Sequence, residues 1–221
     1  MYNYVGLHHE AKGLTPDEIG AGGTFWLVRH GEVYNPGQIF YGRLPRFHLS
    51  ALGLTEAAQT GQFLAAQPLK AVYASPLLRA RQTAAVIAQP HQLKVSVNKL
   101  LFEVRTSRQG EPLADLSGFN FYEPPAQPDD ETLDIILKRT QQFVKLAMSC
   151  DSGQQVAAVS HGDVVVLLHA YYCEMPIRLA SLRQPNLYPQ HASVTRYDWP
   201  PEGFTLDTTR VRVSYFQPAN S

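Results

Sequence analysis

The stretch Thr24-Phe25-Trp26-Leu27-Val28-Arg29-His30-Gly31-Glu32 decides the fold. Its apolar run shows no polar alternation, so both faces of the extended chain need cover, as in a parallel strand buried between helices. At Arg29 the character changes to a charged turn. A second stretch repeats the design: Gln155-Val156-Ala157-Ala158-Val159-Ser160-His161-Gly162-Asp163. In each, a buried strand gives way to a histidine, then a glycine, then an acid.

Working outward, the segments between and around these two strands alternate in kind. Residues 55–67 read as a helix stopped at Pro68, and 71–74 as a second short strand. Ser75-Pro76 supplies an N-cap and a first-turn proline, after which Leu77, Ala80, Ala84, Ile87 and Ala88 form a helical stripe ending at Pro90. A third strand is expected over 93–97 and a long helix over 131–148, with Leu133, Ile136, Leu137, Thr140, Val144 and Ala147 on one face. A helix over 163–172 follows the second His-Gly turn, and strands are expected at 193–199 and 210–216. Strands alternating with helices predict an α/β sheet covered on both faces. Residues 1–22 read as a lead-in to a glycine-rich loop that lacks dinucleotide-binding spacing. Residues 103–129 are irregular and too long for a simple connector, which marks 104–129 as a candidate specificity loop or lid.

Bulk properties bound the function. A chain of 221 residues can bury one substantial core, and a single domain over 1–221 is expected. Lys plus Arg equals Asp plus Glu at 19 each, so net charge gives no reason to expect nucleic-acid or membrane-surface binding. Any attraction for an anion must come from local placement. The two cysteines, Cys150 and Cys173, are too few for a disulfide scaffold and read as small core residues in a reducing compartment. The start of the chain lacks a basic segment followed by an apolar run, and the most apolar window, 156–173, is interrupted by Ser160-His161-Gly162-Asp163. A cytoplasmic protein is expected, and its oligomeric state is not legible.

In open α/β sheets, ligands gather beyond the carboxyl ends of the parallel strands, so His30 and His161 are placed to converge on one site. Arg79, in the first turn of the helix after strand 71–74, shares that geometry. A phosphate monoester is a dianion that guanidinium forks bind through charge-assisted hydrogen bonds, which Arg29 and Arg79 can supply. His161 and the free backbone N–H groups around Gly162 favour negative charge at a helix start. Neighbouring arginines disfavour imidazolium, leaving His30 neutral and able to attack phosphorus. The departing oxygen then requires a proton from a nearby carboxylic acid. Glu32 and Asp163 read as caps rather than as that acid. A metallohydrolase is a competing reading, because the chain has 8 histidines, but no compact His/Asp ligand motif supports it.

Four blocks in order resemble the histidine phosphatase superfamily, also called phosphoglycerate mutase-like. They are Leu27-Val28-Arg29-His30-Gly31-Glu32, then Tyr41-Gly42-Arg43-Leu44-Pro45 with Leu49-Ser50-Ala51-Leu52-Gly53-Leu54-Thr55, then Ala74-Ser75-Pro76-Leu77-Leu78-Arg79-Ala80-Arg81-Gln82-Thr83-Ala84, and Val159-Ser160-His161-Gly162. The resemblance runs from about residue 24 to residue 175. It implies a three-layer α/β/α sandwich with a mainly parallel central sheet, no metal and no cofactor. It further implies His30 as the phosphorylated histidine, Arg29, Arg79, His161 and Gly162 as the rest of the phosphate pocket, and Glu103 as the proton donor. The family's acidic, glycine-containing segment after the donor is absent here, which leaves Glu111 and Asp115 as rivals to Glu103. Asn35 stands one place closer to His30 than the family's asparagine; it and Arg43 are carried as substrate contacts. His191, where some members have an asparagine, reads as structural. The expected activity is hydrolysis of a small phosphate ester through a phosphohistidine. Mutase-type phosphoryl transfer and an idle phospholigand-binding protein are the alternatives.

Overall fold

The computed structural model describes residues 2–116, 125–149, 153–182 and 187–218. Strand β2 (Thr24–Arg29) lies in the middle of a sheet that, among the described residues, has seven strands. Along β2, Phe25 and Leu27 point to one face and Trp26 and Val28 to the other, and all four are buried. β5 (Gln155–Ser160) divides in the same way, with Val156 and Ala158 opposed to Ala157 and Val159. Neither strand has a solvent face, which is why both read as continuous apolar runs.

The first of these faces carries α3 (Leu133–Ala147) and α4 (Gly162–Tyr172), whose Phe143, Val144, Leu168 and Tyr172 pack on Phe25, Leu27, Val156 and Ala158. The second carries Leu64 of α1 (Ala51–Leu64) and Ala80, Ala84 and Ile87 of α2 (Leu78–Ala88). β3 (Leu69–Ala74) and β4 (Val95–Val97) complete the parallel part, in the order β2-β5-β3-β4. Helices leave adjacent strands β2 and β5 toward opposite faces, so a crevice opens between the two carboxyl ends. The arrangement is an α/β/α sandwich with a parallel core.

The other half of the sheet is antiparallel. β6 (Val194–Asp198) pairs with β2, β7 (Arg212–Pro218) with β6, and β1 (Tyr2–His9) with β7. β1 corrects the reading of residues 1–22 as a lead-in. Two register shifts, between Tyr4 and Gly6 and between Leu7 and His9, interrupt its pairing and erase the alternation that would have marked an edge strand.

Two helix starts also differ from expectation. α1 begins at Ala51 rather than at 55, because the Ser50 hydroxyl accepts from Gly53 N–H at 3.0 Å. α2 begins at Leu78, and Leu77 rather than Ser75 occupies its N-cap without a side-chain bond. The Ser75 hydroxyl lies 2.7 Å from His161 Nε2 instead. Cys173 is a free thiol that burial pushes up to about 12; Cys150 and part of the candidate specificity loop lie outside the described residues. No helix among the described residues is long and apolar enough to cross a membrane.

Candidate active site

Three strand ends set the level of the site. Arg29 is in register with Ser160, His30 N–H donates to Ser160 O at 3.0 Å, and Ser75 N–H donates to Val159 O at 2.9 Å. His30, His161 and Ser75 therefore leave the sheet together. The turn after His30 fits only with glycine on both sides of its contact with α1. A Cβ on Gly31 would lie 2.5 Å from Gly53 O, and one on Gly53 would lie 2.0 Å from Glu32 O. Thr83 accepts the Gly31 N–H at 3.2 Å, tying the turn to α2.

The ring of His30 is 1% exposed and that of His161 is fully buried, with their centroids 5.1 Å apart. His30 Nδ1 faces the Gly31 carbonyl at 2.7 Å and must donate to it, which leaves Nε2 with its lone pair. Arg79 Nε donates to that Nε2 at 3.1 Å. Burial, then the charges of Arg79 and Arg29, holds His30 well below the usual histidine range, and burial and Arg79 do the same for His161. Both rings are neutral at physiological pH.

Arg79 is 0% exposed, yet among the described residues no carboxylate oxygen pairs with it or with Arg29. Its Nη2 donates to Gly42 O at 2.8 Å and lies 3.3 Å from His161 Nδ1, its plane lies over Tyr41, and Nη1 has no partner. Arg29 donates through Nη1 to Pro189 O at 2.6 Å and through Nη2 to His191 Nε2 at 3.0 Å, while its buried Nε has no partner. A buried guanidinium without a counter-charge is costly, and buried donors left unfilled favour an anion beside them.

Glu103 is the carboxylate that reaches this cluster, with Oε2 3.7 Å from His161 Nδ1. Its backbone is held tightly. The Glu103 carbonyl accepts from Arg43 Nε at 2.7 Å and Arg139 Nη2 at 3.3 Å, and Ser160 Oγ pins the preceding turn by donating to Leu101 O at 2.8 Å. Burial, aided by the Asp163 carboxylate, pushes the Glu103 carboxyl up to about 7, against the pull of Arg79 and of the Val104 N–H. At neutral pH it can both give and take a proton.

The other candidates are placed differently. Glu111 is paired with Arg108 at 3.0 Å, and Asp115 is exposed on a short turn. Asn35 spends its amide closing a turn, donating to Ile39 O at 2.9 Å and accepting from Ile39 N–H at 3.3 Å. Arg43 stacks on Phe102 and pairs with Glu131 at 2.8 Å, so it braces Glu103 from behind. Glu32 accepts from the Ser50 hydroxyl at 2.7 Å, a capping role, and Arg105 pairs with Asp129 on the surface. Sequence reasoning undervalued His191 and missed Tyr188. His191 lies 6.0 Å from the His30 ring, and Tyr188 stacks on Arg29 and donates to Asp163 at 3.1 Å. Gly162 is needed here, because a Cβ would fall 2.2 Å from the Tyr188 hydroxyl. His191 gave a signal, its position before Ala192-Ser193; Tyr188 gave none.

Comparison with known proteins bears on the family and the fold. The profile of the histidine phosphatase superfamily (branch 1) matches residues 25–212. An uncharacterized protein of Mycobacterium tuberculosis is 38% identical over 153 residues, spanning 66% of this chain and 76% of that one. The adenosylcobalamin/alpha-ribazole phosphatase of Escherichia coli K12 is 28% identical over 162 residues, spanning 68% and 79%. Among solved structures, YhfR of Bacillus stearothermophilus superposes with a TM-score of 0.71 at 22% identity, covering 83% of this chain and 95% of that one, a likeness of fold.

Proposed function

This chain belongs to the histidine phosphatase superfamily and is a phosphatase, and from that premise we propose that it hydrolyses a small phosphate monoester, without metal, through a phosphohistidine at His30. The observation that carries the reading is the pair of guanidinium groups, Arg29 and Arg79, gathered around two neutral imidazoles with donors left over and no carboxylate counter-ion among the described residues. That composition suits a tetrahedral dianion.

In the first step the lone pair on His30 Nε2 attacks phosphorus. The bond from phosphorus to the alcohol oxygen breaks, and Glu103 gives its proton to that oxygen. The product is an Nε2-phosphohistidine, with Nδ1–H still held by the Gly31 carbonyl. In the second step Glu103, now a carboxylate, takes a proton from water as the water oxygen bonds to phosphorus. The P–N bond breaks and its electron pair returns to Nε2. Arg79 and Arg29 neutralise the peripheral oxygens throughout, and their charges also keep His30 unprotonated and nucleophilic. A bound phosphoryl group takes over part of what the Gly42 carbonyl receives from Arg79.

A panel of phosphomonoesters with His30→Ala tests this reading. The variant is expected to keep its fold and lose phosphate release, and wild type quenched in alkali during turnover is expected to carry phosphate on His30. Turnover by the variant comparable to wild type would remove His30 as nucleophile. A mutase would instead isomerise 3-phosphoglycerate without net phosphate release. The reading also places the protein in the cytoplasm, as a catalyst for small molecules.

A further inference from the structure

The substrate needs a way in, and among the described residues Tyr41 and Gly42 cover one side of Arg79. The Gly42 carbonyl sits on Arg79 Nη2 at 2.8 Å and the Tyr41 ring covers the same guanidinium. Behind it, Arg43 is fastened to Glu103 and Glu131. Against Arg29, between α1 and the segment 188–191, lies an open cavity of about 570 Å³. It shares Arg29 and His191 with the phosphate cluster, and its size falls in the range of small-molecule sites.

We propose that this cavity is the subsite for the alcohol part of the ester, and that it takes an uncharged, hydroxyl-bearing group of about hexose size rather than one with a second anion. The inference rests on the phosphatase reading above and deepens it. Leu52 and the Tyr188 ring offer apolar surface, while Gln59 and Gln190 bring amides that both donate and accept, as hydroxyl recognition requires. His191 adds a donor. Its Nε2 accepts from Arg29, so Nδ1 carries the proton, and burial with the Arg29 charge brings this imidazole down to about 3 and keeps it neutral.

Charge argues against a second anion. Among the described lining residues the single cation is Arg29, and both of its Nη groups are already engaged. The carboxyl among them is Glu56, whose Oε2 is tied to the Glu32 N–H at 2.7 Å on the α1 wall. A second carboxylate or phosphate would meet that carboxyl with no free cation to offset it.

Two substrates of matched size separate the alternatives: glucose 6-phosphate, with a neutral far end, and 6-phosphogluconate, with a carboxylate there. Acetyl phosphate, too small to fill the cavity, reports the phosphoryl chemistry alone. Wild type is expected to favour glucose 6-phosphate over 6-phosphogluconate by about tenfold or more in kcat/KM. Thr55→Phe, an exposed lining position with no part in recognition, narrows the cavity and is expected to raise KM for glucose 6-phosphate about tenfold while acetyl phosphate turnover stays within about twofold. Gln59→Trp, one turn further along α1, should raise the same KM in the same direction. Glu56→Gln should narrow the gap between the two sugar esters. Unchanged KM for glucose 6-phosphate in both filled variants, or equal use of the two sugar esters by wild type, would overturn the subsite. Failure of wild type to release phosphate even from acetyl phosphate would instead defeat the phosphatase reading itself.

Discussion

Glu103→Gln keeps the volume of the buried side chain and an oxygen to accept the Val104 N–H, but it cannot ionise. In the folded protein the carboxyl is raised from its ordinary 4.5 to about 7, chiefly by burial. The unfolded chain ionises near the ordinary value. Between those two pH values the folded state therefore holds a proton that the unfolded state has lost, and stability must fall as pH rises. At ~1.4 kcal/mol per pH unit, the full window amounts to about 3 kcal/mol. The stabilising proton is fully present below about pH 4.5, and its contribution is gone above about pH 7. Glutamine has no such dependence. Urea unfolding of wild type and variant near pH 5 and again near pH 8 should show the variant gaining on wild type by ~2–3 kcal/mol between the two conditions. The same substitution removes the proton donor, so kcat should fall by about 10²–10⁴. The alkaline decline expected of wild-type kcat/KM above about pH 7 should disappear with it. A variant that loses activity while gaining relative stability at high pH has the signature of a buried, functional acid. An unfolding difference that is the same at both pH values, or an undiminished kcat, would refute the assignment.

Arg79→Lys should cost about 10²–10³ in kcat, because an ammonium cannot reach His30, the Gly42 carbonyl and a phosphoryl oxygen together; steady-state kinetics on one monoester would show it. Gly53→Ala offers a test with a definite sign. In an ordinary helix the change would gain up to ~1 kcal/mol, but here the new methyl lies 2.0 Å from Glu32 O, so a loss of ~1–3 kcal/mol and a Tm lower by several degrees are expected by thermal unfolding. Activity should survive dialysis against chelator, since the proposed steps use only side chains; loss of turnover restored by a divalent cation would contradict them.

The parts of the molecule written locally were the parts the sequence disclosed. Phe25 to Val28 and Val156 to Val159 are apolar on both faces because both faces are covered, so the strands and the residues at their ends could be located without coordinates. Arg79 was legible for the same reason, since its helix follows β3 directly. What stayed hidden depends on partners distant in the chain. β1 has a strand's hydrogen bonds but, with two register shifts, not a strand's alternation. Ser75 carries a perfect capping pattern, yet a histidine 86 positions away claims its hydroxyl. Asn35 and Arg43 have the chemistry of substrate ligands, but a turn and a carboxylate brace use that chemistry up.

The same distinction explains the electrostatics. A residue's type announces that it can be charged, whereas burial decides whether it is. Glu32 takes a serine hydroxyl at a helix start, while Glu103, the same amino acid, is buried beside His161 and Asp163. That burial pushes Glu103 to where a proton can move in either direction at neutral pH. Proton transfer therefore belongs to an environment assembled from β5, α4 and the turn before Glu103, and moving that carboxyl toward solvent would return it toward 4.5 without changing a single catalytic side chain.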